Sequence, residues 1–182
     1  VNALAEVVGL ARDAKIRVSA TISVAFGCPF EGEVPAERVN DIVRRAGDTG
    51  VFEIALADTI GVGVPSQVRD LFGKAKISAP GVQLRAHFHN TRNTGVVNAL
   101  AAYEAGVRVI DGSLAGVGGC PFAPGAAGNV ATEDLVYLYE RMGVATGVNL
   151  DGAIDTAKFI AHALKKTTPG MVSKAGGFPY KA

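Results

Sequence analysis

The sequence is short of cysteine, of net charge and of long apolar runs, and each shortage excludes a class of protein. Two cysteines in 182 residues are too few for a disulfide scaffold and suit a reducing compartment, with room for one bridge at most. A formal net charge of +1, without a long run of like charge, provides no electrostatic surface for nucleic acid or an anionic membrane. No run of about 18 apolar residues occurs, so we expect a soluble protein with neither nucleic acid nor membrane as a partner.

The start of the chain also lacks an initiator methionine. The first residue is Val1, and apolar residues follow at helical spacing, namely Leu4, Val7, Val8 and Ala11. No charged n-region, apolar h-region or transit-peptide pattern is present. We therefore expect that the chain opens inside a longer protein, and the reduced cysteines suggest a cytoplasmic one.

What the sequence has is 48% hydrophobic content and alternating strand and helix patterns, which together predict one α/β domain over residues 1–182. Strands rich in Val, Ile and Thr are predicted at 17–26, 52–57, 82–89 and 107–114. Apolar residues at helical spacing predict helices near 4–14, 35–46, 65–72, 96–105, 132–142 and 154–164. Strand-helix units repeated about four times are typical of a parallel sheet with right-handed crossovers.

Two parallel architectures fit this pattern. A doubly wound sheet of about five or six strands suits a length of 182 residues, whereas a complete (β/α)8 barrel takes about 250. The opening inside a helix, and the absence of a G-x-G-x-x-G motif after the first strand, favour instead the C-terminal portion of such a barrel. Both architectures place the functional site at the carboxyl ends of the strands.

Polar residues collect at these strand ends. Asp58 and Thr59 follow the second strand, and His87 and His89 end the third. Asp111 lies near the end of the fourth strand. Burying such groups without partners would cost roughly several kcal/mol, so a polar site is the simpler interpretation. Asp58 and Thr59 either bind substrate or cap the next segment.

His87 and His89 are the sharpest feature of the sequence. Residues i and i+2 of a strand point to the same face, so both imidazoles project together. Such a pair suits Mn, Mg, Fe or Zn when oxygen ligands complete the site, although the two histidines can also simply be hydrogen-bonded at a strand end. The third histidine, His162, falls in the C-terminal helix and is interpreted as a helix-surface residue.

A glycine-rich loop over residues 116–128 is the second feature. Loops of this length in compact domains are usually functional, for example as lids. Cys120, within the loop, is either a proton carrier or a small buried hydrophobic residue. Asn129 has a simpler interpretation as a helix cap, and Glu133 and Asp134 complement the dipole of the following helix.

Several segments taken together resemble the hydroxymethylglutaryl-CoA lyase family. They are G-C-P-F-E-G at 27–32, A-D-T-I-G-V-G at 57–63, H-F-H-N-T at 87–91, G-V-G-G-C-P-F at 116–122 and G-N-V-A-T-E-D-L at 128–135. H-x-H alone is shared with the wider superfamily of metal-dependent lyases and synthases, which includes isopropylmalate synthase and pyruvate carboxyltransferase-type domains. The cysteine loop and the segment after it are far more particular to the lyase, and the similarity runs through nearly the whole chain.

The resemblance implies a (β/α)8 TIM barrel, of which this chain is the C-terminal part with at least four strand-helix units. It implies a divalent metal, Mg or Mn, held by His87, His89 and Asn129, with His87 also helping to move a proton. Cys120 is the implied catalytic proton carrier on a mobile loop. The implied reaction cleaves 3-hydroxy-3-methylglutaryl-CoA to acetyl-CoA and acetoacetate, as in leucine degradation. Such an enzyme binds an acyl-CoA substrate, is expected to be a homo-oligomer, a dimer or higher, and in a eukaryote occupies the mitochondrial matrix.

The implied substrate-binding residues are Thr21, Asp58 and Thr59, and the chain departs from the family near them. Thr21 stands where the best-known lyases have a tyrosine near the acyl group, and Asn90 stands where they have aspartate. The R-D-G-L-Q-type motif, which supplies the family's catalytic arginine and a metal-binding aspartate, does not occur in this sequence. The alternatives are therefore a citramalyl-CoA-type lyase, a hydroxy-oxo-acid aldolase of the same superfamily, or a catalytically silent truncated chain.

Overall fold

Four parallel strands form one sheet, and their order in space follows their order in the chain. The computed structural model describes residues 1–119 and 128–179. Within these ranges the strands are β1 (Ser19–Ile22), β2 (Glu53–Asp58), β3 (Gln83–Phe88) and β4 (Val109–Asp111). The prediction of a parallel α/β sheet is confirmed.

Helices connect and flank the strands. In the described ranges they are α1 (Asn2–Asp13), α2 (Ala36–Gly47), α3 (Pro65–Ser78), α4 (Gly95–Glu104), α5 (Thr132–Arg141), α6 (Leu150–Leu164) and α7 (Val172–Ala175), with a 3-10 turn at Leu114–Gly116. Helices α2, α3 and α4 join consecutive strands, and α5 follows β4, so four strand-helix units are present as predicted. None of the helices in the described ranges is long and apolar enough to cross a bilayer.

The strand order distinguishes the two architectures that the sequence pattern allows. A doubly wound sheet reverses direction at a switch point, so that its order along the sheet differs from its order in the chain. Here the order β1-β2-β3-β4 contains no reversal, which is the progression of a (β/α)8 barrel. The doubly wound alternative is therefore wrong.

The two edge strands are shorter than predicted. The pattern predicts strands over 17–26 and 107–114, whereas β1 is Ser19–Ile22 and β4 is Val109–Asp111. Each has one neighbour in this sheet, so the ladder stops where the chain turns away from that neighbour. After β1 the chain turns through Val24, whose φ of 52° is left-handed, and after β4 it bridges to Ala131 instead of continuing along the sheet.

The helices cover one side of the sheet, which we call the outer face. Ile54 and Leu56 of β2 and Leu84, Ala86 and Phe88 of β3 point to it, and all five are buried. The buried residues of α2 are those of its predicted apolar stripe. Helix α3 packs between α2 and α4. Large fully buried side chains on such a face each stabilise the fold by about 1.5–3 kcal/mol.

The opposite side, which we call the inner face, carries most of the polar residues of the sheet, together with Ala55, Ala57 and Val109. It carries Ser19 and Thr21 of β1, Glu53 of β2, Gln83, Arg85 and His87 of β3, and Asp111 of β4. These residues alternate with the outer-face residues because successive side chains of a strand point to opposite sides. Burial in β3 follows this period, with Leu84, Ala86 and Phe88 buried and the residues between them partly exposed. The inner face is where chemistry can occur.

Candidate active site

His87 and His89 lie at the carboxyl end of β3 with their rings close together. The ring centroids are 5.3 Å apart and the ring planes cross at 66°. The spacing i, i+2 puts both on the inner side, as the sequence predicts. His87 Nδ1 lies 2.5 Å from Oδ1 of Asp111, which pairs with it across β3 and β4. The first histidine is therefore oriented by a carboxylate.

His89 is the more enclosed of the two imidazoles. Its Nδ1 is buried and has no hydrogen-bond partner within the described ranges. Burial, and secondly the neighbouring His87, lower the pKa of His89 below its ordinary value. His89 therefore favours the neutral form, which is the form of imidazole that binds metal ions.

Asn129 lies beside His89 through an antiparallel β-bridge. Its Nδ2 donates a hydrogen bond to the carbonyl of Val117 at 2.9 Å, which leaves Oδ1 as the atom available to a cation. The N-cap of α5 is Ala131, so the helix-cap interpretation of Asn129 is wrong. A Cβ on Gly118 would lie 2.8 Å from this amide nitrogen, and the φ of Gly118 is +99°, so glycine is needed there.

A polar network lies below the histidines on the inner face. Glu53 accepts hydrogen bonds from Ser19 Oγ at 2.7 Å and from Gln83 Nε2 at 2.6 Å. Arg85 Nε lies 3.3 Å from Glu53 Oε1 and 3.4 Å from Asp111 Oδ2, bridging the two carboxylates. Sequence reasoning missed this network, although the polar period-two pattern of Gln83, Arg85 and His87 signals it.

Asp58 lies on the other side of the sheet from the histidines. It pairs with Phe88 in register and belongs to the outer face. Its Oδ1 and Oδ2 accept hydrogen bonds from the backbone N–H groups of Val62 at 3.0 Å and Gly63 at 2.9 Å. Burial raises the pKa of Asp58, and these backbone hydrogen bonds oppose the rise. Of the two predicted roles, these contacts are those of a residue that caps the next segment.

Thr59 and Thr21 are placed differently from Asp58. Thr59 Oγ1 accepts a hydrogen bond from the N–H of Val24 at 3.0 Å, which joins the loop after β2 to the strained turn after β1. Thr21 is exposed on the inner face, with its Oγ1 3.5 Å from Arg85 Nη2. Thr21 is thus on the same side of the sheet as His87.

Cys120 lies outside the described residues, so its role as proton carrier stays a prediction. The chain before and after the glycine-rich loop is held by Glu133, which is fully buried and accepts a hydrogen bond from the N–H of Ala115 at 3.0 Å. Asp134 accepts hydrogen bonds from the N–H groups of Met171 and Val172. These two carboxylates thus do more than complement the dipole of α5. His162 is exposed on α6, as predicted.

The donor atoms at the end of β3 fit part of the shell of a divalent cation. The Nδ1 of His87 meets Asp111 and leaves Nε2 for a cation, burial lowers the pKa of His89 and so favours its neutral form, and Asn129 offers an oxygen. Mixed nitrogen and oxygen donors suit Mn and related ions, which take about six ligands, so water and substrate oxygens would complete the shell. No group of three or more His, Cys, Asp or Glu arranged for a metal occurs in 1–119 and 128–179.

These features define a class of protein: a chain built on (β/α)8-barrel order, with a polar site of two histidines and an amide at the carboxyl ends of its strands. The chain belongs to the HMGL-like family, whose model matches residues 1–160. Within that family, its relatives include acyl-CoA lyases of two substrate types.

The (R)-citramalyl-CoA lyase of Chloroflexus aurantiacus is 48% identical over 155 residues, covering 85% of this chain and 49% of that protein. The mitochondrial hydroxymethylglutaryl-CoA lyase of Gallus gallus is 42% identical over 170 residues, covering 93% of this chain and 57% of that protein. The chain thus spans about half the length of these curated relatives.

Solved structures show the same fold. An HMG-CoA lyase from Acinetobacter baumannii, in complex with coenzyme A and 3-methylmalate, superposes with a TM-score of 0.91 at 40% identity. The match covers 98% of this chain and 58% of that one. The predicted TIM-barrel fold and the resemblance to the lyase family are therefore confirmed.

Proposed function

We propose that this chain carries the catalytic strand ends of a divalent-metal-dependent lyase that cleaves 3-hydroxy-3-methylglutaryl-CoA to acetyl-CoA and acetoacetate. The observation that carries the proposal is the convergence of His87, His89 and Asn129 at the end of β3. Relatives with this fold include hydroxymethylglutaryl-CoA lyases about 40% identical to this chain. His87, His89 and Asn129 are the proposed ligands of a Mg or Mn ion.

The charges of the inner face favour a cation there. Glu53 and Asp111 contribute two carboxylates and Arg85 one guanidinium, so the three side chains together carry excess negative charge. A cleft lined by one sign of charge concentrates ions of the opposite sign. When bound, a divalent ion would lower the pKa of the substrate hydroxyl and orient the hydroxyl and carboxylate oxygens.

The chain's own residues then account for the proton transfers. The hydroxyl loses its proton while the bond between C2 and C3 breaks, the C3 oxygen becomes a ketone, and the electron pair passes to C2 as the acetyl-CoA enolate. His87 is the proposed carrier of the hydroxyl proton, which it would accept at Nε2 only when that nitrogen is released from the ion. Cys120 is the proposed donor that returns a proton to C2, which completes acetyl-CoA.

A second candidate is cleavage of citramalyl-CoA, and the identity of 48% to an (R)-citramalyl-CoA lyase favours it. The two thioesters share the carbon chain around the broken bond and differ in the group attached to the carbinol carbon. The second product is pyruvate for citramalyl-CoA and acetoacetate for the hydroxymethylglutaryl thioester. Thr21, exposed on the inner face, is the residue that stands where the resemblance implies a tyrosine in the best-known hydroxymethylglutaryl-CoA lyases.

The deciding experiment measures both products. We would assay acetyl-CoA, acetoacetate and pyruvate with each thioester, with Mg or Mn and after chelation, using this chain and a version extended to the full length of its relatives. The Cys120→Ala variant of each is the matched control. Acetoacetate release that requires metal and Cys120 supports the proposal, and we expect little activity from the chain alone. Pyruvate release alone assigns the second candidate, while inactivity of a folded, metal-loaded extended protein contradicts both.

A further inference from the structure

Asp111 lies between His87 and Arg85, and each of its carboxylate oxygens faces one of them. Oδ1 meets His87 Nδ1, and Oδ2 lies 3.4 Å from Arg85 Nε. Asp111 is partly exposed, with a side-chain exposure of 36%. Both partners come from β3 whereas Asp111 comes from β4, so the contact joins two adjacent strands beneath the proposed cation site.

The contact determines which nitrogen of His87 can act. A neutral imidazole carries one proton, and the nitrogen that faces a carboxylate is the one that donates it. With Nδ1 protonated and directed at Asp111, the lone pair is on Nε2. Carboxylates that hold a ligating histidine in this way also hold its ring orientation.

Arg85 has two possible roles, which are to bind the acyl carboxylate of the substrate or to hold Asp111. Its Nε lies near the carboxylates of both Glu53 and Asp111, and its Nη2 is 3.4 Å from Ser19 Oγ. Two anions already face this one cation, so a third carboxylate would enter a site of excess negative charge. Glu53 is itself buried and held by Ser19 and Gln83, so it anchors Arg85. The contacts favour the second role.

We propose that Asp111 is a positioning residue, which holds His87 as the Nδ1–H tautomer with Nε2 presented to a divalent cation. Arg85, which forms an ion pair with Glu53, also forms an ion pair with the second oxygen of Asp111 and so helps to fix the carboxylate. The part that concerns the cation rests on the proposed function. The assignment of the His87 tautomer applies to the metal-free protein and does not depend on the proposed function.

The test reads the tautomer and the metal affinity separately. Long-range ¹H–¹⁵N NMR on the metal-free protein at about pH 8.5, above the ordinary histidine range, assigns the proton of each imidazole. The chain has three histidines, so the spectrum is simple to assign. Mn²⁺ affinity is measured by the EPR signal of the free ion. The variants are Asp111→Ala and, as a matched control, Asp155→Ala, which removes an exposed carboxylate of α6.

We expect His87 to be the Nδ1–H tautomer in the wild type and to populate the Nε2–H form in Asp111→Ala. Mn²⁺ affinity is expected to fall about 10- to 100-fold in Asp111→Ala and to stay unchanged in Asp155→Ala. An Nε2–H tautomer in the wild type overturns the inference even if Asp111→Ala fails to fold. A folded Asp111→Ala variant with wild-type Mn²⁺ affinity also overturns it. If the wild type binds no Mn²⁺ but its His87 tautomer depends on Asp111, the positioning contact stands and the proposed metal-dependent function fails.

Discussion

The two faces of β3 alternate residue by residue and carry opposite kinds of side chain, whereas β2 is buried along its whole length. Ile54, Leu56 and Phe88 point to the outer face and are fully buried. Arg85 and His87 point to the inner face and keep more than a quarter of their side-chain surface exposed. The same strands therefore supply the fold with one set of positions and the chemistry with the other. A substitution on one face is expected to affect one property and spare the other.

Asp58 shows how far this division goes. It ends β2 next to the candidate site, yet its side chain belongs to the outer face and serves the loop that follows. Glu53 is buried on the inner face and holds the polar network. Position within the strand period, more than polarity or nearness to the strand end, decides which residues face the site.

The largest expected effect on activity is on the inner face, in His89→Ala. If His89 is a metal ligand, its loss should lower kcat/KM of the full-length enzyme about 1000-fold, which is about 4 kcal/mol of transition-state stabilisation. His162→Ala is the matched control because His162 is exposed on α6. Mn²⁺ binding and kcat/KM are measured for both. Activity of His89→Ala within tenfold of the wild type would remove His89 from the ligand set.

The largest expected effect on stability is on the outer face, in Phe88→Ala. Phe88 is fully buried and packs near Phe26, with ring centroids 5.9 Å apart. Truncating such a ring removes buried area and leaves a cavity, so we expect a loss of about 3–5 kcal/mol in the free energy of unfolding. Urea denaturation measures it. If the folded variant also lost its Mn²⁺ affinity, the two faces would be coupled and the comparison would fail.

Much of the fold is predictable from the sequence because periodicity reports it. Val39, Val43 and Ala46 recur at helical spacing and are the buried residues of α2. The order of the elements and the pairing of His87 with His89 on one side follow from the same local rule. Edge strands are less predictable, since their length depends on neighbours that the pattern does not reveal.

The contacts across strands are what the sequence cannot supply. The sequence places Asp111 at a strand end, but its contact with His87 depends on the register between β3 and β4. The bridge from Arg85 to Glu53 likewise joins strands whose pairing no local pattern defines. Asn129 resembles a helix cap in sequence because it precedes a helix, whereas in the structure its amide donates a hydrogen bond to the carbonyl of Val117. The sequence thus predicts which residues lie at the strand ends, but it does not predict which residues of other strands they contact.

The smallest of the three effects is expected in Asp58→Ala. Asp58 is the polar residue of β2 on the otherwise apolar outer face. The variant leaves the part-buried N–H of Val62 and the buried N–H of Gly63 without an acceptor, so we expect a loss of about 1–3 kcal/mol in the free energy of unfolding. Asp155→Ala is the exposed control.

The pH dependence of this loss sharpens the prediction. Burial raises the pKa of Asp58 in the folded protein, so the folded state binds this proton more tightly than the unfolded chain does. The linked stabilisation is complete below the unfolded pKa of about 3.9 and is lost as the pH rises through the folded pKa. The difference between wild type and Asp58→Ala should therefore narrow from about pH 3 to pH 7, as measured by urea denaturation across that range. A difference that widens with pH would mean that the loop N–H groups outweigh burial, and that Asp58 acts as a charged cap.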